Sequence, residues 1–196
     1  MDIGALISTG SLVFAALGVW LILVSLRADH ERSRRVQAID LMKFYYGVIR
    51  ESHLLMPCLR LADSLGPAEL LSLVDGRRDI DVVGEAREMA EMIAEAKGFK
   101  IDTSGGTFTL GREGVFYVRQ QIFSFLNAQE VLAAAWSESV IGAEIFEREF
   151  KSAFIPSSGK PPLTDFIEKS GIYPATKAVH KHFSEEVEVT VRPKIA

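Results

Sequence analysis

The N-terminal part of the chain divides into a long uncharged stretch and a short basic one. Residues 3–26 carry no charged side chain and are mostly apolar, and four arginines follow closely, Arg27, Arg32, Arg34 and Arg35. A membrane-spanning helix needs about 20 apolar residues. At the helical rise, residues 3–26 would extend about 36 Å, enough to cross a bilayer with some tilt. The pattern predicts a transmembrane helix.

A cleaved secretory signal and a buried soluble helix are the alternatives for this stretch. A signal peptide has a basic start, a shorter apolar run and a cleavage site with small residues. This chain begins MDIG, and its apolar run ends in LVSLRADHERSRR. We therefore expect a retained anchor.

The arginines also predict the orientation of the anchor. Lys and Arg near the ends of a span accumulate on the cytoplasmic side. Here all of them lie on the C-terminal side, as Arg27, Arg32, Arg34 and Arg35. We expect the N-terminus outside and the remaining domain in the cytoplasm, with the four membrane-proximal arginines near anionic lipid.

Small residues recur along the first half of the predicted span. Gly4 and Ser8, like Ser11 and Ala15, are four positions apart. Pairs of this kind let helix backbones approach closely in lipid. These four residues are the candidate face for association between two spans.

Beyond the arginines, apolar residues follow a helical period. Val36, Ile39, Met42, Tyr46 and Ile49 lie on one helical face, and a second apolar stripe adjoins it. A face this wide suits a helical bundle. Pro57 is expected to kink or end this helix.

Further helices are predicted over 67–76 and 85–98, each ending at a glycine, Gly76 or Gly98. Between 100 and 114, glycines and alternating residues around Phe108 and Leu110 indicate a loop or a short strand.

The segment 115–150 predicts two helices with FLNAQE between them. Asn127 is suited to cap the second helix, and Glu130 follows at the spacing of a capping box. A polar site made by Asn127 and Glu130 is the alternative. After Pro156, two short helices are expected. The alternation of Val187, Val189 and Val191 then indicates a strand that pairs near 107–110, or a disordered tail.

These elements predict an all-α protein: a single N-terminal transmembrane helix and a cytoplasmic helical bundle, with room for a minor two-stranded element. The expected divisions are a transmembrane anchor at 1–28, a cytoplasmic helical domain at 29–156, and short helices with a tail at 157–196.

Two segments resemble a family of uncharacterised bacterial single-pass membrane proteins. One is the Arg-rich juxtamembrane helix RSRRVQAIDLMKFYYGVIRE, and the other is the LN-x-x-E motif in FLNAQEVLAAAWSESVIGAEIFEREF. The resemblance implies the same membrane layout and assigns no reaction. The alanines 133–135 depart from the family's pattern, and 157–196 has no counterpart in it.

Composition and chemistry narrow the function further. The net charge of −4 does not favour nucleic-acid binding, which needs a basic face. The single cysteine, Cys58, is expected to be a buried apolar residue. His180 and His182 would lie about 200° apart on a helix and could not share a metal. We find no candidate catalytic, cofactor-binding or metal-binding residue.

The sequence therefore predicts a bacterial inner-membrane protein whose cytoplasmic domain binds a protein partner or another copy of itself. It would act as a scaffold, signalling or accessory subunit of a membrane complex. One alternative is an oligomerising membrane effector, for example in phage defence, that senses a ligand and perturbs the bilayer. The other is an enzyme without a recognisable motif.

Overall fold

The computed structural model describes residues 3–102, 108–155 and 163–191, and the side chains of 17–18, 20–100, 108–155 and 163–185. The fold is mostly helical with one small sheet. The elements are α1 Ile3–Glu51, α2 Leu55–Ser64, α3 Pro67–Asp75, β1 Ile80–Val82, α4 Gly84–Lys97, β2 Ile101–Asp102, β3 Phe108–Leu110, α5 Arg112–Ser137, α6 Ala143–Phe154, α7 Thr164–Ser170 and α8 Pro174–Val191.

Helix α1 is unbroken over Ile3–Glu51, a stretch without Pro and with only isolated glycines. Between Leu17 and Leu26 the apolar side chains that the structure describes are exposed, and the core contacts of the described part begin at Ala38. Among the side chains that the structure describes, no helix carries an apolar stretch long enough to cross a membrane. Part of the predicted span, 3–16, has its side chains outside that described set.

The prediction that Pro57 ends the first helix is wrong in position. Helix α1 ends at Glu51, and Pro57 lies in the first turn of α2. Proline is tolerated there because the first amides of a helix have no partner within it. The chain instead leaves the helical conformation in a turn at 52–54.

Helix α5 is the centre of the core. It packs against α1, α2, α3, α6 and α8. Its fully buried side chains occur along most of its length, from Val115 to Ala133. The predicted boundary inside this segment is therefore wrong: one helix runs from Arg112 to Ser137, and the chain turns only at 138–142 before α6.

The sheet has three short antiparallel strands in the order β1-β3-β2. Ile80 pairs with Leu110 and Val82 with Phe108, so the apolar side chains of both strands face the core. The predicted extended segment at Phe108 and Leu110 is confirmed. Its predicted partner is not, because the backbone of the tail is helical through Val191.

The C-terminal helices α7 and α8 were predicted as short helices, and they share the core of the preceding domain. The backbone amide of Leu163, just before α7, donates to Asp63 Oδ1 of α2 at 2.9 Å. Phe166, Val179 and Phe183 are buried in the common core. The buried side chains of α7 and α8 therefore lie in the same cluster as those of the preceding helices.

Candidate functional site

The candidate site is a cleft between α1 and the start of α6, with a volume of about 660 Å³. We call it the arginine cleft. Its lining residues are Glu31, Arg34 and Arg35 of α1, Gly142 just before α6, and Ala143, Glu144, Ile145 and Arg148 of α6.

The turn before α6 shapes one wall of the arginine cleft. Gly142 precedes the helix with an extended backbone, and its carbonyl accepts the amides of Ile145 and Phe146 at 3.1 and 3.0 Å. The first amides of a helix have no acceptor within it and carry partial positive charge. The start of α6 therefore adds to the positive character of the wall that carries Arg148.

The charged side chains of the cleft are only partly engaged with one another. Arg35 lies 4.0 Å from Glu31 in a highly exposed pair, which contributes little. Arg148 Nε donates to Glu149 Oε1 at 2.6 Å. Arg34 is half-buried and has no ion pair among the described residues. Arg34 is thus the guanidinium most available to a ligand.

This arrangement suits recognition of an anionic group. Guanidinium groups bind carboxylates and phosphates in a bidentate way, and helix starts accept the same groups. Three arginines face two glutamates in the lining, so the cleft is slightly positive in an acidic chain. Ile145 and Ala143 add apolar surface beside the charges.

The four predicted membrane-proximal arginines do not act as one group. Arg34 and Arg35 line the cleft, whereas Arg27 and Arg32 are exposed elsewhere on α1. Sequence reasoning missed Arg148. Its signal was weak, because Arg148 is one of several charges in the amphipathic helix AEIFEREFKSAF.

Asn127 and Glu130 do not cap the helix that contains them, because both lie inside α5. Glu130 caps a different helix: its carboxylate accepts the amides of Ala175 and Thr176 at 3.0 and 2.8 Å, and the Thr176 hydroxyl at 2.8 Å. Asn127 accepts a long bond, 3.4 Å, from the Tyr173 hydroxyl. The predicted cap residues therefore fasten the start of α8 to the middle of α5.

Two other candidate side chains are buried in the core. Burial raises the pKa of the Cys58 thiol to about 12, which makes it an unreactive core residue as predicted. Burial lowers the pKa of His180 to about 4, and its Nε2 atom has no hydrogen-bond partner among the residues that the structure describes. His182 is on another side of α8 and contacts the ring of Trp136.

Three further points concern His53, the small residues of the predicted span and metal ligands. His53 is exposed in the turn after α1. The side chains of Gly4, Ser8, Ser11 and Ala15 lie outside those that the structure describes. In the described part of the chain, no three His, Cys, Asp or Glu side chains come together as metal ligands would.

No family model, no curated protein and no solved structure matches this chain. The resemblance to bacterial single-pass membrane proteins therefore stays a prediction.

Proposed function

We propose that the chain is a bacterial single-pass inner-membrane protein whose cytoplasmic helical domain binds a partner protein close to the membrane. In this proposal residues 3–26 span the bilayer, with the N-terminus outside. The domain serves as a scaffold, signalling or accessory subunit of a membrane complex.

The observation that carries the proposal is the unbroken course of α1. The helix begins in the uncharged segment, exposes its apolar side chains between Leu17 and Leu26, and continues into the core at Ala38 and Tyr45. Seven large apolar side chains in that stretch are about half exposed or more: Leu17, Trp20, Leu21, Ile22, Leu23, Val24 and Leu26. The domain gives these side chains no partner, and a bilayer would cover them.

The arginine cleft is the proposed place for the partner. It begins about 8 Å beyond Leu26 along the helix, given a rise of 1.5 Å per residue. A volume of 660 Å³ is far larger than one phosphate or carboxylate group, and the lining has both charge signs and apolar surface. These properties favour a protein segment with an acidic side chain over a lipid headgroup alone.

Purification of the full chain from membranes in mild detergent tests the partner. We expect a stoichiometric protein that is lost in Arg34→Glu and in Arg148→Glu. Arg78→Glu is the matched control, because Arg78 is an exposed arginine in the turn before β1. A monomer without a partner, or equal loss in all three variants, would contradict the proposal, as would recovery of lipid alone.

The anchor is tested separately from the partner. After alkaline extraction we expect the chain to stay with the membrane, and a reporter fused after Ala196 should be active in the cytoplasm only. Recovery in the soluble fraction, or activity outside, would overturn the anchor or its orientation.

A membrane effector is the second candidate, favoured by the exposed face of α1. In that case overexpression should depolarise cells, and leucine at Gly4, Ser8, Ser11 and Ala15 should abolish the effect. The idea fails if depolarisation is absent or unchanged by those substitutions.

A further inference from the structure

One line of exposed residues runs along α1 with alternating steps of four and three positions. We call it the α1 seam. Its described members are Gly18, Ile22, Ser25, Asp29, Arg32, Val36, Ile39, Lys43 and Tyr46, and all of them are exposed. Alternating steps of four and three place residues at the a and d positions of a heptad, the contact line of a two-stranded coiled coil.

The seam faces away from the domain. Each of Val36, Ile39 and Lys43 stands two positions before a residue on the packed face, Ala38, Leu41 or Tyr45. Two positions correspond to about 200° around a helix. The domain therefore leaves the seam accessible, and a second helix could lie along it without displacing any core contact.

We infer that the α1 seam is the interface of a parallel homodimer, with a second copy of this chain as its occupant. In the described part, the largest apolar side chains of the seam are Ile22, Val36, Ile39 and Tyr46, and Tyr46 remains 48% exposed in the monomer. The two domains would lie on the outer sides of the helix pair.

One pair of charges beside the seam is complementary between two parallel copies. In this register Arg35 is a g position and Asp40 is the e position that follows it, the pair that forms interhelical salt bridges in parallel coiled coils. Asp29 and Arg32 occupy successive a and d positions, where each side chain lies opposite its own copy and beside the opposite charge of the neighbouring layer. Within one chain, Arg35 and Asp40 make only exposed contacts, of 4.0 Å to Glu31 and 3.6 Å to Lys43.

The sequence continues the same register into the uncharged segment, where Gly4, Ser8, Ser11 and Ala15 precede Gly18. The inference rests on the proposed anchor, because two chains held in one membrane are parallel and at high effective concentration. Without an anchor, the short apolar part of the seam would be a weak dimer interface.

Cysteine cross-linking of the full chain in native membranes tests the seam. Tyr46 and Phe44 form a matched pair, since both are aromatic residues of α1 and they are 48% and 47% exposed. Disulfide formation requires Cα atoms within about 7 Å, so we expect at least about tenfold more linked dimer from Tyr46→Cys and Ile39→Cys than from Phe44→Cys. The unsubstituted chain is the blank, because Cys58 is buried.

Charge exchange tests the register of the two helices. In the Tyr46→Cys background, Arg35→Asp should lower the yield of dimer about twofold to fivefold, as expected for an exposed ion pair. Combining Arg35→Asp with Asp40→Arg should restore the yield.

Three results would overturn the seam: equal cross-linking at positions 44 and 46, no cross-linking at positions 39 and 46, or an adduct with a different protein. The seam and the anchor fail in different ways. A chain that resists alkaline extraction yet does not cross-link refutes the seam alone, whereas a soluble chain refutes the anchor.

Discussion

The two longest helices, α1 and α5, differ in how far their apolar side chains are exposed. Helix α5 buries side chains on several faces along most of its length, because other helices surround it. Helix α1 buries few side chains near its C-terminal end and exposes a run of large apolar ones between Leu17 and Leu26. Packing in the core therefore explains the apolar residues of α5. It does not explain the exposed apolar residues of α1 between Leu17 and Leu26.

The largest expected difference comes from shortening a leucine in each helix. Leu126 of α5 is fully buried, so Leu126→Ala should lower the free energy of unfolding by about 2–5 kcal/mol through lost burial and a cavity. Leu23 of α1 is exposed, so Leu23→Ala should leave the unfolding of the domain unchanged. Urea unfolding of the full chain in mild detergent, followed by circular dichroism, measures both. Equal losses would remove the distinction between the helices.

Replacing a glycine by alanine should destabilise the domain in α5 and stabilise it in α1. A Cβ at Gly114 of α5 would lie 2.5 Å from Leu110 Cδ1, and Leu110 is buried, so Gly114→Ala should cost about 1–3 kcal/mol. A Cβ at Gly47 of α1 meets nothing within 4 Å, so Gly47→Ala should stabilise by about 0.5–1 kcal/mol through helix propensity. The same unfolding assay applies, and a destabilising Gly47→Ala would show that α1 is packed at this position.

Removing a carboxylate should also change the stability by different amounts in the two helices. Glu130 of α5 accepts three hydrogen bonds at the start of α8, so Glu130→Ala should cost about 1–2 kcal/mol, as for loss of a helix cap. Among the described residues Glu31 of α1 makes one ion pair, its exposed contact to Arg35, so Glu31→Ala should have little effect on stability. Thermal unfolding of the two variants side by side decides the matter.

The last expected effect is a pH dependence from His180, which lies on α8, the helix whose start Glu130 of α5 caps. Burial lowers the pKa of His180 from 6.5 to about 4, so the folded state binds its proton less readily than the unfolded state. Its contribution to stability is complete above pH 6.5 and is lost as the pH falls toward 4, with a slope of at most about 1.4 kcal/mol per pH unit. His180→Gln should flatten the stability profile between pH 6.5 and 5, relative to the unsubstituted chain. An unchanged slope would contradict this assignment.

Local signals in the sequence located several helix ends correctly. Gly76 and Gly98 take left-handed conformations directly after α3 and α4, and glycine adopts these at low cost. The apolar alternation around Phe108 and Leu110 likewise identified β3. In these places the conformation is decided by residues a few positions apart.

The errors arose where distant contacts outweigh local preference. An asparagine inside a helix lowers the stability of the helix by at most about 0.7 kcal/mol relative to alanine. The burial of Leu126, Ala128 and Leu132 around Asn127 outweighs that cost. The partner of Glu130 is some 45 residues away in sequence, at Thr176, so no local pattern could reveal it. Arg148 joins the arginine cleft for the same reason, because α6 returns to α1 only in the folded domain.

The distance along the chain between α1 and its core partner sets an order of events during synthesis. The ring of Tyr45 contacts that of Phe125, at a centroid distance of 6.2 Å. At roughly 5–20 residues per second, the ribosome adds the ~80 intervening residues in about 4–16 seconds. Throughout that interval the inner face of α1 has no α5 to cover it, so the helix made first still lacks its main partner when α2 and α4, which pack against each other, have both been made.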